Sequence, residues 1–411
     1  MHWSDEAEII EFLSAHNYDV RLSHNARWID QKCTPDVLNI IADCIFNFIA
    51  DDRNITFSSA DIWHDEYAVN NISELFQKPD PNSELAISEY NKFFQQPMEL
   101  LAYSGVLNKT KIGNRNIYSV NNLDALTFIA IRERNALFFL RHYIEKVLID
   151  SDIFGAFSAF FMSQNQRTFF NVKDSFTDFT IENTRINTAV ECHRIFTKVL
   201  NPLAFFRNSR GTNRGRLSEN PIAYEVLKYN RVNFRDVYAN KPRGITRREF
   251  AIQNHLAADD AFVRYNSQRA KRFLRLFNDS FRGGSSELLD DIHNDEIATH
   301  VHHIFPESEF PEICEYFENL ICLTPTQHLN YAHPLANTQR IVEAYQQLCL
   351  ITKADRIREN IEDHEIETIY DFGYFKYVLF TGLENEIFTQ IEDMDFGSII
   401  REINSSYASR D

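Results

Sequence analysis

Glycine is scarce in this chain, 11 of 411 residues, whereas phenylalanine reaches 35. That balance argues against an all-β chain punctuated by glycine turns and favours long helices. No apolar run approaches the roughly 18 residues that a membrane-spanning helix requires; the longest, Ile153 to Met162, contains Ser158 and reads as core. The opening MHWSDEAEII lacks the basic stretch that begins a secretory signal. The six cysteines (Cys33, Cys44, Cys192, Cys314, Cys322 and Cys349) have no C-x-x-C spacing, so neither a disulfide framework nor a four-cysteine zinc knuckle is expected. Internal repeats, low-complexity tracts, G-x-G-x-x-G and a P-loop lysine are all missing, which removes a nucleotide-cradling loop. What remains is an ordinary globular composition, 44% hydrophobic and 25% charged, at a length suited to two or three domains. The expectation is a soluble, cytoplasmic protein with no membrane partner.

The net charge of −17 is unevenly spread. Residues 181–282 carry 20 Lys/Arg against 9 Asp/Glu, a local +11, which leaves −28 on the other 309 residues. A basic segment in an acidic chain is either a solvated helical face or a focused field for a polyanion. Sixteen of the 20 cations are arginine, whose planar fork suits bidentate contacts with phosphate and guanine, and that favours the second reading. Arg207, Arg210, Arg214 and Arg216 flank Gly211 and Gly215, where a backbone without Cβ can approach phosphates closely. Arg243 and Arg247 continue the series, and Phe205, Phe206, Tyr224, Tyr229 and Phe234 interleave it.

From Thr34 to about Val120 the pattern predicts helices followed by a hairpin. Thr34-Pro35 caps a first helix with apolar residues at helical spacing from Val37 to Phe48. Ser58 or Ser59 caps a second. A third, from Glu84, is interrupted at Pro97, restarts, and stops at Gly105. Val106–Lys111, the turn Gly113-Asn114 and Asn116–Val120 then form a hairpin carrying Lys109, Lys111 and Arg115. This outline is that of a winged helix that grips duplex DNA, or of a helical protein-interaction module. Residues 121–180 read as aromatic helical core, with seams near Asp150-Ser151 and Arg282-Gly283-Gly284.

The stretch that carries chemistry is His300–Pro334, HVHHIFPESEFPEICEYFENLICLTPTQHLNYAHP. A short β-like run ends at Pro306, and Asn319 opens a second run, Leu320–Leu323. Thr324-Pro325-Thr326-Gln327 is a capping box with proline at the first helical position, placing His328 in the first turn. Such a ββα unit can enclose one metal ion. Phosphodiester hydrolysis needs an activated water and a cation on the scissile phosphate; one histidine as base and a metal held by two further side chains supply both.

On these residues the chain resembles the HNH nuclease family, named for a [D/H]-H-I-x-P strand, a central Asn and a helix-borne His. The resemblance implies that His302 and His328 hold the metal, that His303 is the general base, and that Asn319 braces the loop by hydrogen bonding to backbone. His300, His333 and Asn337 stand nearby as auxiliary ligands or orienting groups. The chain departs from the family in having His302 where Asp is frequent and in lacking the flanking cysteines. Two imidazole ligands suit softer ions, so Mn²⁺, Ni²⁺ or Zn²⁺ are alternatives to the expected Mg²⁺. A regular strand would point His302 and His303 to opposite faces, so the strand distorts or the phosphate sits between the two rings. A structural zinc site of His302, His328, Cys314 and Cys322 is the competing reading.

The wider arrangement is similar to type II restriction endonucleases of the HNH kind, type IIS above all, over about Arg27 to Lys353. The expected architecture is therefore α+β and mainly helical. It comprises a winged-helix-like DNA-recognition domain (1–150), an Arg-rich helical connector (151–285), and a ββα-metal nuclease domain with C-terminal helices (286–411). The implied partners are double-stranded DNA, a second copy paired transiently on DNA, and a cognate DNA methyltransferase. The alternatives are another defence or mobile-element nuclease, modification-dependent or nicking, and a winged-helix regulator with structural zinc.

Overall fold

In a computed structural model, the description covers residues 4–50, 52, 54–76, 78, 87–229, 247–289, 296–332, 342–363 and 365–408, with backbone alone for 247–260. The chain is mainly helical, with few, short antiparallel strand pairs among the described residues, as the α+β expectation has it. It divides into two compact units, Glu6–Ala258 and Asp259–Asp411, the latter with Met1–Asp5. The expected seam at Asp150-Ser151 is a turn inside the first unit; that at Gly283-Gly284 lies inside the second. No described helix is long and apolar enough to cross a membrane.

The first unit opens with the short helices α1 (Glu6–Ser14) and α2 (Val20–Ser23) and is centred on α3 (Pro35–Ile49), which is buried on nearly all sides. Its one polar stripe is satisfied internally: Asn39 Nδ2 donates to the carbonyls of Ile129 (2.7 Å) and Ala130 (3.0 Å), and Asp43 accepts from Tyr67 Oη (2.6 Å). Helix α4 (Ser59–Trp63) starts on Ser58, which makes a capping box with Asp61, and α5 (Glu66–Leu75) follows. Helix α6 spans Ile87–Tyr103 without the expected break, running through Pro97. Proline inside a helix costs about 3 kcal/mol, but Phe93 and Phe94 before it and Met98, Leu100 and Leu101 after it are all buried, and that burial outweighs the lost hydrogen bond. The helix ends at Gly105, φ +85°, as expected.

The expected hairpin is present as β1 (Leu107–Ile112) and β2 (Arg115–Val120), turning on Gly113 at φ +60°. Phe57 bridges Tyr118 on the outer side of β2, with reciprocal backbone bonds of 2.9 and 2.7 Å. Helices α7 (Leu123–Ile131) and α8 (Glu133–Asp150) pack on α3; α9 (Phe154–Ser163), α10 (Gln166–Asn183) and α11 (Ala189–Phe206) carry the aromatic core beyond them. A second hairpin, β3 (Arg210–Asn213) and β4 (Arg216–Pro221), turns on Arg214 and Gly215, both at positive φ, the geometry that suits the twist of a two-residue hairpin.

The long helix α12 (Arg247–Arg282) belongs to the second unit from Asp259 onward and is followed there by the antiparallel pair β5 (His300–His303) and β6 (Leu320–Leu323), then a π-helical turn, Gln327–Ala332, and the helices α13 (Glu343–Glu362), α14 (Phe372–Leu383), α15 (Ile387–Gln390) and α16 (Phe396–Ala408). Behind β6 lies a charge cluster centred on the fully buried Glu287 and Lys353. Glu287 accepts from the Cys322 backbone N–H (2.7 Å) and from Lys353 Nζ (2.7 Å), with Tyr370 Oη at 3.1 Å and Arg282 at 3.5 Å. Burial alone would raise the Glu287 pKa; the Lys353 and Arg282 charges more than reverse it and hold the carboxyl ionised. Lys353→Met should destabilise this unit by about 3–5 kcal/mol, because it strands a buried carboxylate. Adding Glu287→Gln should recover part of the loss, and denaturant unfolding of the two variants measures both changes.

Candidate active site

Strand β5 pairs with β6 in the register His300↔Leu323, Val301↔Cys322, His302↔Ile321 and His303↔Leu320. His300 and His302 therefore share one face of the hairpin, and Val301 and His303 the other. His328 reaches the first face from the helical turn that begins at Thr324. The capping box there is reciprocal: Gln327 N–H donates to Thr324 Oγ1 and Thr324 N–H to Gln327 Oε1, both 3.1 Å. Gln327 is tied further to Ser286 Oγ (2.6 Å) and to the Leu288 carbonyl (2.9 Å), so the turn is anchored before His328 leaves it.

The rings of His302 and His328 have centroids 5.2 Å apart at 72°, and His300 stacks on His328 at 4.9 Å and 22°. Two imidazoles sharing one ion, with nitrogen–metal distances of about 2.1 Å, keep their centroids roughly 5 Å apart. The His302–His328 pair fits that requirement, while the parallel stack makes His300 an orienting contact for His328. Among the described residues no set of three or more His, Cys, Asp or Glu side chains is gathered as a complete ligand cage. A site with two imidazole ligands leaves the remaining coordination positions of an ion open to water. His333 and Asn337 lie outside the described residues.

His303 is buried, and its Nε2 lies 3.0 Å from the Cys314 carbonyl. A carbonyl only accepts, so Nε2 carries the proton and Nδ1 keeps its lone pair. Burial, with the Lys271 charge adding to it, pushes the His303 pKa down to about 4, against the opposing pull of the Cys314 bond and Glu307. Glu307 Oε2 stands 3.8 Å from Nδ1. Although alternate strand positions face opposite ways, His302 and His303 line the same cleft of about 510 Å³, because His303 is the last paired residue and the cleft wraps the strand end past Pro306, Glu307 and Ser308.

Asn319 is fully buried and holds that strand end. Its Oδ1 accepts from the Phe305 N–H (2.8 Å), and its Nδ2 donates to the carbonyls of Phe305 (3.1 Å) and Ile313 (3.3 Å). Phe305 in turn lies flat against Gly382, where a Cβ would come within 2.4 Å of the ring.

Other lining residues were not singled out in the sequence: Lys271 from α12, Glu307 and Ser308 from the turn, and Tyr345 and Gln346 from α13. No local signal marks them, since α12 and α13 reach the cleft only through tertiary packing. The four-ligand zinc alternative finds no matching geometry. Cys322 faces away from His302 across the hairpin register, and the Cys314 Sγ lies 3.8 Å from the Val263 carbonyl.

The remaining candidates fall into two groups. Lys109 pairs with Glu99 (2.6 Å), Arg207 with Glu145 (2.8 Å), and Arg210 with the carbonyls of Ser218 (2.6 Å) and Gln164 (3.1 Å). Lys111 and Arg115 at the first hairpin turn, and Arg214 and Arg216 at the second, are exposed. Arg243 and the side chain of Arg247 lie outside the described residues.

Comparison of the chain with family models, curated proteins and solved structures finds no match.

Two measurements check the site. Asn319→Ala should cost about 3 kcal/mol by leaving buried backbone groups of the Phe305 turn unsatisfied, read by chemical denaturation. His302→Ala and His328→Ala should each abolish Mn²⁺ binding in titration calorimetry, whereas Cys314→Ala should leave it intact; loss with the cysteine variant would restore the thiolate reading.

Proposed function

We propose that the chain is a metal-dependent endodeoxyribonuclease of the HNH type and, within that class, a type II restriction endonuclease acting on a short duplex sequence. The observation that carries the reading is the polarity of His303: Nε2–H is spent on the Cys314 carbonyl, which leaves Nδ1 with its lone pair on a residue that lines one cleft with His302 and His328. This is the arrangement required to take a proton from water beside a cation-bound phosphate. His302 and His328 would hold one divalent ion, Mg²⁺ first and Mn²⁺, Ni²⁺ or Zn²⁺ in its place, which supplies charge neutralisation at the scissile phosphate. Asn319 acts at one remove, holding His303 and the turn in register.

Duplex recognition would fall to the first unit. Its helices followed by a hairpin, with Phe57 bridged to β2, support a winged-helix-like reading. The exposed Lys111, Arg115, Arg214 and Arg216 are the side chains suited to phosphate contact. A DNA methyltransferase would be the functional partner that protects the host sequence. With one base and one ion, each engagement breaks one phosphodiester, so a double-strand break needs a second copy on the duplex or a second engagement.

The test is cleavage of long unmethylated genomic DNA in Mg²⁺ or Mn²⁺, with sequencing of the ends. Discrete, repeated ends support restriction, scattered ends a nonspecific nuclease, and no cleavage overturns the reading. His303→Ala should lose cleavage by several orders of magnitude while keeping DNA affinity; near wild-type cutting would remove it as the base. Lys111→Ala with Arg115→Ala should lower the salt dependence of binding by a slope of about 1.8, at 0.9 per phosphate contact.

A further inference from the structure

We propose that Lys271 is a further catalytic residue of this site, contacting a non-bridging oxygen of the scissile phosphate. The inference rests on the nuclease reading above. Positions 263, 267 and 271 recur every four residues along α12 and so lie on one face. The Val263 carbonyl meets Cys314 Sγ at 3.8 Å, and Ser267 Oγ donates to Glu307 Oε2 at 2.5 Å. That face therefore runs along the segment from Glu307 to Cys314, and Lys271, one turn beyond Ser267, enters the cleft with His302, His303 and His328. Its ammonium is half-buried and makes no hydrogen bond and no ion pair within 4 Å among the described residues, although Glu307 is near enough to act on its charge.

A half-buried ammonium without a partner is costly unless something anionic arrives. The arginine beside it on the sequence shows the contrast: Arg269, two residues earlier, is spent on Glu315 at 2.9 Å. Among the described residues no carboxylate comes within 4 Å of the Lys271 ammonium; Glu307 accepts from Ser267 and acts on Lys271 only from beyond that distance. Lys271 instead lines the same cleft as His303 and is close enough for its charge to act on that ring. The step there is hydrolysis. Water oxygen bonds to phosphorus, one water proton passes to His303 Nδ1, and the phosphorus–oxygen bond to the leaving sugar breaks. The leaving oxygen takes a proton from solvent, and His303 later returns its proton to solvent. Negative charge accumulates on the non-bridging oxygens as phosphorus becomes five-coordinate, and a fixed cation there acts mainly in the transition state.

The experiment uses the full chain on the site mapped by end sequencing, under single-turnover conditions in Mg²⁺, with DNA affinity measured separately. Lys271→Ala and the near-isosteric Lys271→Met should each slow cleavage by about 100-fold, the scale for losing one preorganised charge partner, with affinity little changed. Lys271→Arg should restore part of the rate. A phosphorothioate at the scissile non-bridging oxygen should slow the wild type more than Lys271→Ala, because the variant has already lost the contact; a purely structural lysine would leave the two thio effects equal. Wild-type cleavage with an undiminished rate in both neutral variants, or equal thio effects, overturns the inference alone. Failure of the wild type to cut overturns the nuclease reading, and this inference with it.

Discussion

The side-chain amide of Asn319 is the interaction on which the candidate site depends. It satisfies both backbone groups of Phe305 and bonds the carbonyl of Ile313, while the Asn319 backbone carbonyl accepts from the Ile304 N–H at 2.9 Å. The chain leaving β5 is thereby fastened to the residue that opens β6. Everything after that point inherits the constraint: Phe305 seats on Gly382, the turn presents Glu307, and Cys314 comes round to receive His303 Nε2. A hydrophobic side chain at 319 could fill the volume but would leave both backbone groups of Phe305 unpaired and the Ile313 carbonyl with the Tyr316 N–H alone (3.3 Å). An amide carries a separate acceptor oxygen and a two-proton donor nitrogen at its tip, which is what one acceptor bond and two donor bonds from the same side chain require.

The hairpin is also held from behind. Glu287 binds the Cys322 backbone through both its own N–H and its carboxylate, and Lys353, Tyr370 and Arg282 hold that carboxylate in place. The two sides of β6 thus serve opposite purposes. Charge behind the strand is fully paired and rigid, whereas the imidazoles in front stay accessible to a cleft. Burial and the Lys271 charge both disfavour protonation of His303, so the ring is neutral and its Nδ1 keeps a lone pair.

Much of this was legible in the sequence because it is local. The capping box at Thr324 and Gln327, the hairpin on Gly113, the capped start at Ser58 and the strand opened by Asn319 each depend on residues a few positions apart. The helix through Pro97 was not legible, because the burial that rescues it comes from neighbours distant in sequence. The cleft walls were hidden for the same reason: Lys271 precedes His303 by a long interval, and Gln346, which donates to the Ile304 carbonyl at 2.7 Å, follows it by another. The opposite faces implied for His302 and His303 followed correctly from strand periodicity. What that periodicity lacked was the cleft bending round the strand end.

Arginine content illustrates the same limit in electrostatic form. The local excess of cations in residues 181–282 suggested a single polyanion-binding field, but a charge count cannot distinguish a cation facing water from one already neutralised. Arg207 is paired with Glu145 and lies 4.9 Å over the Phe161 ring; Arg269 and Arg282 are paired with Glu315 and Glu287. These side chains gain more from fixed partners inside the fold than they could from a diffuse external field, since a desolvated pair is screened far less than an exposed charge. Arg214 and Arg216 sit where neither option exists: a two-residue turn is too tight and too exposed to supply carboxylates of its own. Among the described cations of this segment, Arg214 and Arg216 are thus exposed because backbone geometry, rather than charge density, places them at a hairpin tip.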